Sequence, residues 1–136
     1  MEIVELEPGH PSPIPEVGLR AAGHLVEHPS GAPSLGLRLE CDGRILAYTG
    51  DTEWVENLVR VGYGADVLIA EAYCFERKVR HHLDFATLRQ NAPRLDAKRI
   101  ILTHMSADML AHAGSAYAGF EFAADGLTID LDQRSR

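Results

Sequence analysis

Five side chains in this sequence have the types and settings to do chemistry together: His28, Asp51, Glu71, His82 and His104. Imidazole is the commonest metal ligand of proteins, and a carboxylate beside it completes a cation site or orients a general acid or base. Asp51 stands in "ILAYTGDTEW", where an apolar run breaks on Gly50 and puts a carboxylate at its end. His104 follows the apolar residues of "IILTH", and Glu71 interrupts "VLIAEA", where an unpaired buried charge would be costly. His82 lies eleven positions after Glu71, close enough in sequence for the two to pair. Each residue also has a plainer reading. Asp51 can be a turn residue that accepts backbone N–H bonds, and His104 a helix cap or boundary histidine. His24 and His28, of one parity on a regular strand, can both be surface histidines, and Glu71–His82 an ordinary ion pair. His10 and His112 sit in polar or small-residue surroundings and suggest no chemistry.

The elements that must position these residues follow from local patterning. "LRAAGHLVEH" and "LGLRLE" read as strands separated by the turn-rich "HPSGAPS", which places His28 at a strand end. The Asp-Gly of "CDGR" is a hairpin signal joining "LGLRLE" to "RILAYT", so three antiparallel strands are expected over residues 19–49. "EWVENLVRV", residues 53–61, carries a helical apolar stripe closed by Gly62 or Gly64. "DVLIAEA" and "KRIILTH" are continuous apolar runs, the mark of strands covered on both faces. Between them, Asp84 is the N-cap of a helix predicted to stop before Pro93. "SADMLAHA" reads as a helical turn, and "GFEFAADGLTIDL" as a terminal hairpin around Asp125-Gly126. The sum is an α/β fold, a mixed sheet with helices on one face. Binding residues of such sheets gather beyond the carboxyl ends of strands, where Asp51 and His104 fall.

Composition sets the outer bounds. The 136 residues, 46% hydrophobic and 24% charged, suit one domain over 1–136 with one core. A net charge of −7 argues against a generally basic nucleic-acid-coating surface, although Arg77, Lys78, Arg80, His81 and His82 form one local basic cluster. Cys41 and Cys74 match neither a zinc spacing nor a disulfide framework and are expected to be reduced thiols. The amino terminus lacks the charged start and apolar core of a signal peptide, and no apolar run reaches the ~20 residues of a membrane span, so a cytoplasmic protein with no membrane partner is expected. No glycine-rich phosphate loop supports a nucleotide-binding α/β module.

Taken in order, "HPSGAPSLGLRLE", "YTGDT", "LIAEAYC", "HHLDFATL" and "RIILTHMS" resemble the second half of the metallo-β-lactamase-fold hydrolases, nearest to the ribonuclease Z branch. In that branch a histidine precedes a "GYR"-like strand, "GDT" supplies a bridging aspartate, "HEAT"-like and "HST"-like segments follow, and "LTH" supplies the last histidine ligand. The resemblance therefore implies His28, Asp51 and His104 as metal ligands, with Asp51 bridging. It implies His82, oriented by Glu71, as the group that protonates the leaving oxygen, so that His82, Glu71 and Asp51 are the candidate catalytic residues. It further implies a metal-dependent hydrolase of phosphodiesterase type, with RNA or another phosphodiester as substrate and two Zn2+ ions in the complete site.

The family's His-x-His-x-Asp-His motif, which belongs to the first half of the fold, is absent. The resemblance thus makes this chain the carboxyl half of an αββα domain, entered at a methionine partway through. One zinc ion or none is expected in this chain alone. A half-fold would also leave the inner face of its sheet uncovered, an apolar patch that monomers seldom carry. A homo-oligomer, or a partner chain supplying the missing half, is the expected remedy. The rival expectation is a non-catalytic remnant or interaction domain that pairs through that same face.

Overall fold

The computed structural model describes residues 3–131. A single sheet of seven strands runs in chain order: β1 (Ser12–Ile14), β2 (Leu19–Leu25), β3 (Leu35–Cys41), β4 (Arg44–Tyr48), β5 (Val67–Glu71), β6 (Ile100–Thr103) and β7 (Phe120–Phe122). Pairing is antiparallel from β1 to β4 and parallel from β4 to β7. The change of direction coincides with the helices α1 (Asn57–Gly62), α2 (Phe85–Leu95) and α3 (Ala107–Leu110), which carry the chain back across the sheet. The β3–β4 hairpin turns on Asp42 (φ 49°) and Gly43 (φ 73°), the two left-handed residues that a tight hairpin of right-twisted strands requires.

All three helices lie on one face. Ala47, Leu68 and Ile100 are in register across β4, β5 and β6, and they pack with Leu58, Val61, Leu88, Leu95 and Met109 into the core. On the opposite face stand Leu35, Leu37, Leu39, Leu46, Tyr48 and Ile69, in the alternate pleat positions. Among the described residues no helix packs against them, and Tyr48 remains 37% exposed. The inner face expected from the sequence to be open is half-buried along Leu35, Leu37, Leu39, Leu46 and Ile69, and exposed only at Tyr48 among these. Among the described residues no helix is long and apolar enough to cross a membrane.

Three local expectations fail for physical reasons. First, α2 runs through Pro93 to Leu95, because buried Leu88 and Leu95 hold its last turn on the core. The proline forfeits only one late hydrogen bond there, and Asp96 (φ 50°) closes the helix. Asp84 is its N-cap, accepting the Thr87 N–H at 2.9 Å. Second, α1 starts at Asn57 rather than at residue 53, since Glu53 is tied by its N–H to the Glu27 carbonyl at 3.2 Å. Third, the Asp125-Gly126 turn forms, yet no second strand follows it among the described residues. β7 instead joins β6 in parallel, with Ile100 opposite Phe120.

Asp66 locks the crossover into place. Its carboxylate accepts the Ile45 N–H at 2.9 Å and the Lys98 ammonium at 2.7 Å, while its own N–H donates to the Ile45 carbonyl. The hydrogen bond from Lys98, then that from Ile45, hold its pKa below the usual carboxylate value against the opposing effect of burial. A carboxylate depressed in the folded state stabilises fully above its unfolded pKa of about 3.9, and the contribution fades as pH falls through the lower folded value. Asp66→Ala is expected to cost about 2 kcal/mol in urea unfolding at pH 7, with the difference from wild type shrinking in that acid window.

Candidate metal centre

The site begins where β4 ends. The Thr49 N–H still pairs with the Ile69 carbonyl at 3.0 Å, but its hydroxyl turns inward, donating to the Gly50 carbonyl and accepting the Glu71 N–H at 3.0 Å. Gly50 then takes φ +64°, and a Cβ there would lie 3.2 Å from the Leu35 carbonyl oxygen. Only glycine makes that turn without strain, and the turn swings Asp51 out over the strand ends. Thr52 pins the far side: its N–H donates to Glu71 Oε2 at 2.8 Å, and its hydroxyl accepts the Glu27 N–H at 3.0 Å.

Glu71, the last residue of β5, has 0% exposure. Its buried charge is satisfied by the N–H groups of Thr52 and Leu83 (3.2 Å) on Oε2 and by a very short contact from Oε1 to His82 Nδ1. This fixes the ring and leaves His82 Nε2 free to face the opening. Tyr73 stacks on His82 with ring centroids 4.6 Å apart and leans on His104 at 5.6 Å. His104 leaves β6 at φ 51°, and its Nδ1 lies 2.9 Å from Asp51 Oδ1.

His28 arrives differently from expectation. β2 ends at Leu25, so His28 belongs to the following loop, whose course is set by the Glu27–Glu53 bridge and by Ser34 Oγ donating to the His28 carbonyl at 2.8 Å. Its ring stands 5.3 Å from that of His82. His24 stays on the strand, and the two histidines part: His24 lines a separate cavity on the helix side. His10 is an exposed neighbour of Glu7, and His112 stacks on Phe75 at 3.7 Å as part of the packing.

Two overlapping sets of donors result. Ligand atoms of His28, Asp51 and His82 lie within 4.8 Å of one another, as do those of Glu71, His82 and His104. Asp51 touches both sets, through His82 and through His104. Sequence reasoning did not single out Tyr73, Thr49 or Thr52, whose roles depend on long-range contacts. Nor did it separate His81 from its neighbours: the Nδ1 of His81 is buried without a hydrogen-bond partner, 3.8 Å from Glu27 and 3.9 Å from Glu53. At the edge of the site the Tyr48 hydroxyl is pushed above its ordinary pKa, by burial first and by the Asp51 and Glu71 carboxylates next. The local potential is negative, as a cation site needs.

Comparison with known proteins places this geometry. A family model described as a beta-lactamase superfamily domain matches residues 1–105. An uncharacterised protein of Mycobacterium leprae is 30% identical over 134 residues, covering 91% of this chain and 46% of that protein. A ribonuclease Z of Geobacillus kaustophilus is 33% identical over 102 residues, covering 65% of this chain and 33% of the relative. The chain thus spans less than half the length of these curated relatives. Among solved structures, the metallo-β-lactamase fold protein YhfI of Bacillus subtilis superposes with a TM-score of 0.72 at 17% identity, over 88% of this chain and 52% of that one. The α/β fold is therefore that of the metallo-β-lactamases.

The turn that presents Asp51 is open to a direct test. Gly50→Ala forces a left-handed alanine against the Leu35 carbonyl, and chemical denaturation should register a loss of about 1–2 kcal/mol.

Proposed function

The chain belongs to the beta-lactamase superfamily domain family, and from that membership we propose that it is the carboxyl-terminal half of a metal-dependent hydrolase of the phosphodiesterase, ribonuclease Z-like kind. The observation that carries the reading is the meeting of His28, Asp51, His82 and His104 at the strand ends, from four separate loops. Asp51 lies within 4.8 Å of a His28 donor and 2.9 Å from His104 Nδ1, and two imidazoles about a carboxylate are donors that suit zinc. His28 and His104 would be terminal ligands, with Asp51 between them. When bound, the ion supplies Lewis-acid stabilisation of charge developing on a phosphoryl oxygen.

The remaining work falls to the chain's own groups. Glu71, with its oxygens occupied by three donors, is a positioning residue rather than a ligand. It holds His82 Nδ1 and thereby aims Nε2, from which a proton passes to the leaving oxygen of a phosphodiester such as RNA. Tyr73, stacked on His82, keeps that ring from turning.

These few outer donors do not make a dinuclear site, since catalytic zinc commonly takes three protein ligands per ion. We therefore assign one zinc ion or none to this chain by itself, with the rest of the site and the cover for Leu37, Leu39, Leu46 and Tyr48 coming from a second sheet. That sheet belongs to another copy or to a chain carrying the missing half. The half-buried leucine-rich face, with no helix over it among the described residues, supports this reading, because uncovered apolar patches mark association surfaces.

Zinc titration against a chromophoric chelator tests the centre. Wild type should take up no more than one ion, and the Asp51→Ala, His104→Ala double variant should lose uptake. Undiminished binding by that variant, or two tightly held ions in wild type, refutes the assignment. Sedimentation tests the face: the 14.9 kDa chain should grow into a larger species with concentration, and Leu37→Asp should suppress that growth.

A further inference from the structure

A second cavity lies away from the candidate metal centre and shares none of its residues. It has a volume of about 550 Å³ and opens on the helix side of the sheet, where β2 and β3 extend past α1. Arg20 and Ala22 on β2 face this side together with Arg38 and Glu40 on β3, as their cross-strand register requires. The third wall is the amino-terminal segment, held by the Gly9 N–H on the Gly23 carbonyl at 2.7 Å.

Three arginines line it, Arg20, Arg38 and Arg60, with one carboxylate, Glu40, in a chain whose net charge is −7. Arg38 is anchored: it donates to the carbonyls of Val61 and Tyr63 at 3.2 and 2.7 Å, and its Nε lies 3.5 Å from Glu40. Arg20 and Arg60 have no ion-pair or hydrogen-bond partner among the described residues. Burial first, then the charges of Arg60 and Arg38, push the His24 imidazole beside them below its ordinary pKa. Gathering like charges around a concavity costs free energy, and an anion seated between them relieves it. The other surfaces are apolar. Ala22 is buried in the floor, Val59 lines the side, and Tyr63 stands 62% exposed at the rim.

A planar guanidinium matches a phosphate, and an apolar wall beside an aromatic ring matches a flat ring system. We propose that this groove binds a small organic phosphate with a planar ring, of the nucleoside monophosphate class. The concave shape and volume suit such a ligand, which lies in the size range of small-molecule sites. A nucleic-acid backbone would instead call for an extended basic track. The inference stands independently of the hydrolase reading.

Isothermal titration of the 136-residue chain with AMP tests it, with adenosine and inorganic phosphate run in parallel. AMP should bind saturably, and adenosine at least tenfold more weakly. Arg60→Ala and Arg20→Ala should each weaken AMP about tenfold, the loss of one charge-assisted hydrogen bond. Both arginines are exposed and unpaired, so the melting temperature of each variant should match wild type. Tyr63→Ala should weaken AMP while leaving phosphate unchanged. The Asp51→Ala, His104→Ala double variant should bind AMP as wild type does, which separates this site from the metal centre. Equal affinity for adenosine, arginine variants that bind normally, or loss of binding in the double variant overturns the proposal. So does an RNA oligonucleotide that needs both arginines when AMP does not bind.

Discussion

Everything at the candidate centre leans on one buried carboxylate. Glu71 ends β5 with no solvent contact, and its charge is tolerable only because Thr52, Leu83 and His82 all supply hydrogens to it. Those partners lie on two segments: Thr52 on the turn after β4, and the adjacent His82 and Leu83 on the approach to α2. Each donor is therefore both a requirement of Glu71 and a constraint on its own loop. Removing the carboxylate would leave two backbone N–H groups buried and unpaired, and the imidazole free to rotate. The precision of the site is a by-product of satisfying that charge.

The sheet explains why these loops converge. Parallel pairing of β4, β5 and β6 brings their carboxyl ends to one edge, so the residues that follow each strand must emerge side by side. Helices on one face provide the hydrophobic core that pins the strands. The other face carries leucines with no layer above them among the described residues, which is the arrangement of a sandwich seen from within. Under the proposed reading, stability and completion of the centre are two aspects of one requirement: a second layer that covers the leucines would also bring donors near Asp51 and His104.

The cationic groove belongs to a different part of the sheet, on its helix face and among the antiparallel strands. Its charge opposes the acidic character of the chain as a whole, whereas the centre at the parallel strand ends is locally negative. Two sites of opposite sign, one on the helix face and one at the strand ends, do not compete for one ligand.

How much of this was legible from the residues depends on the range of the interaction involved. Apolar runs marked β5 and β6, Asp-Gly marked the β3–β4 turn, and Asp84 marked the start of α2, because each depends on neighbours only a few positions away. The histidines and acids could be picked out by type and order for the same reason. Distant contacts decided the rest. Packing of Leu95 carried α2 through Pro93, pairing with β6 made β7 a parallel strand instead of half a hairpin, and the Glu27–Glu53 bridge drew His28 away from His24. Tyr73 could not be read at all, since nothing local says that its ring will lie on His82. The residue types were written in the chain; their meeting point, and the left-handed turns at Gly50 and His104 that make it possible, exist only once the strands are side by side.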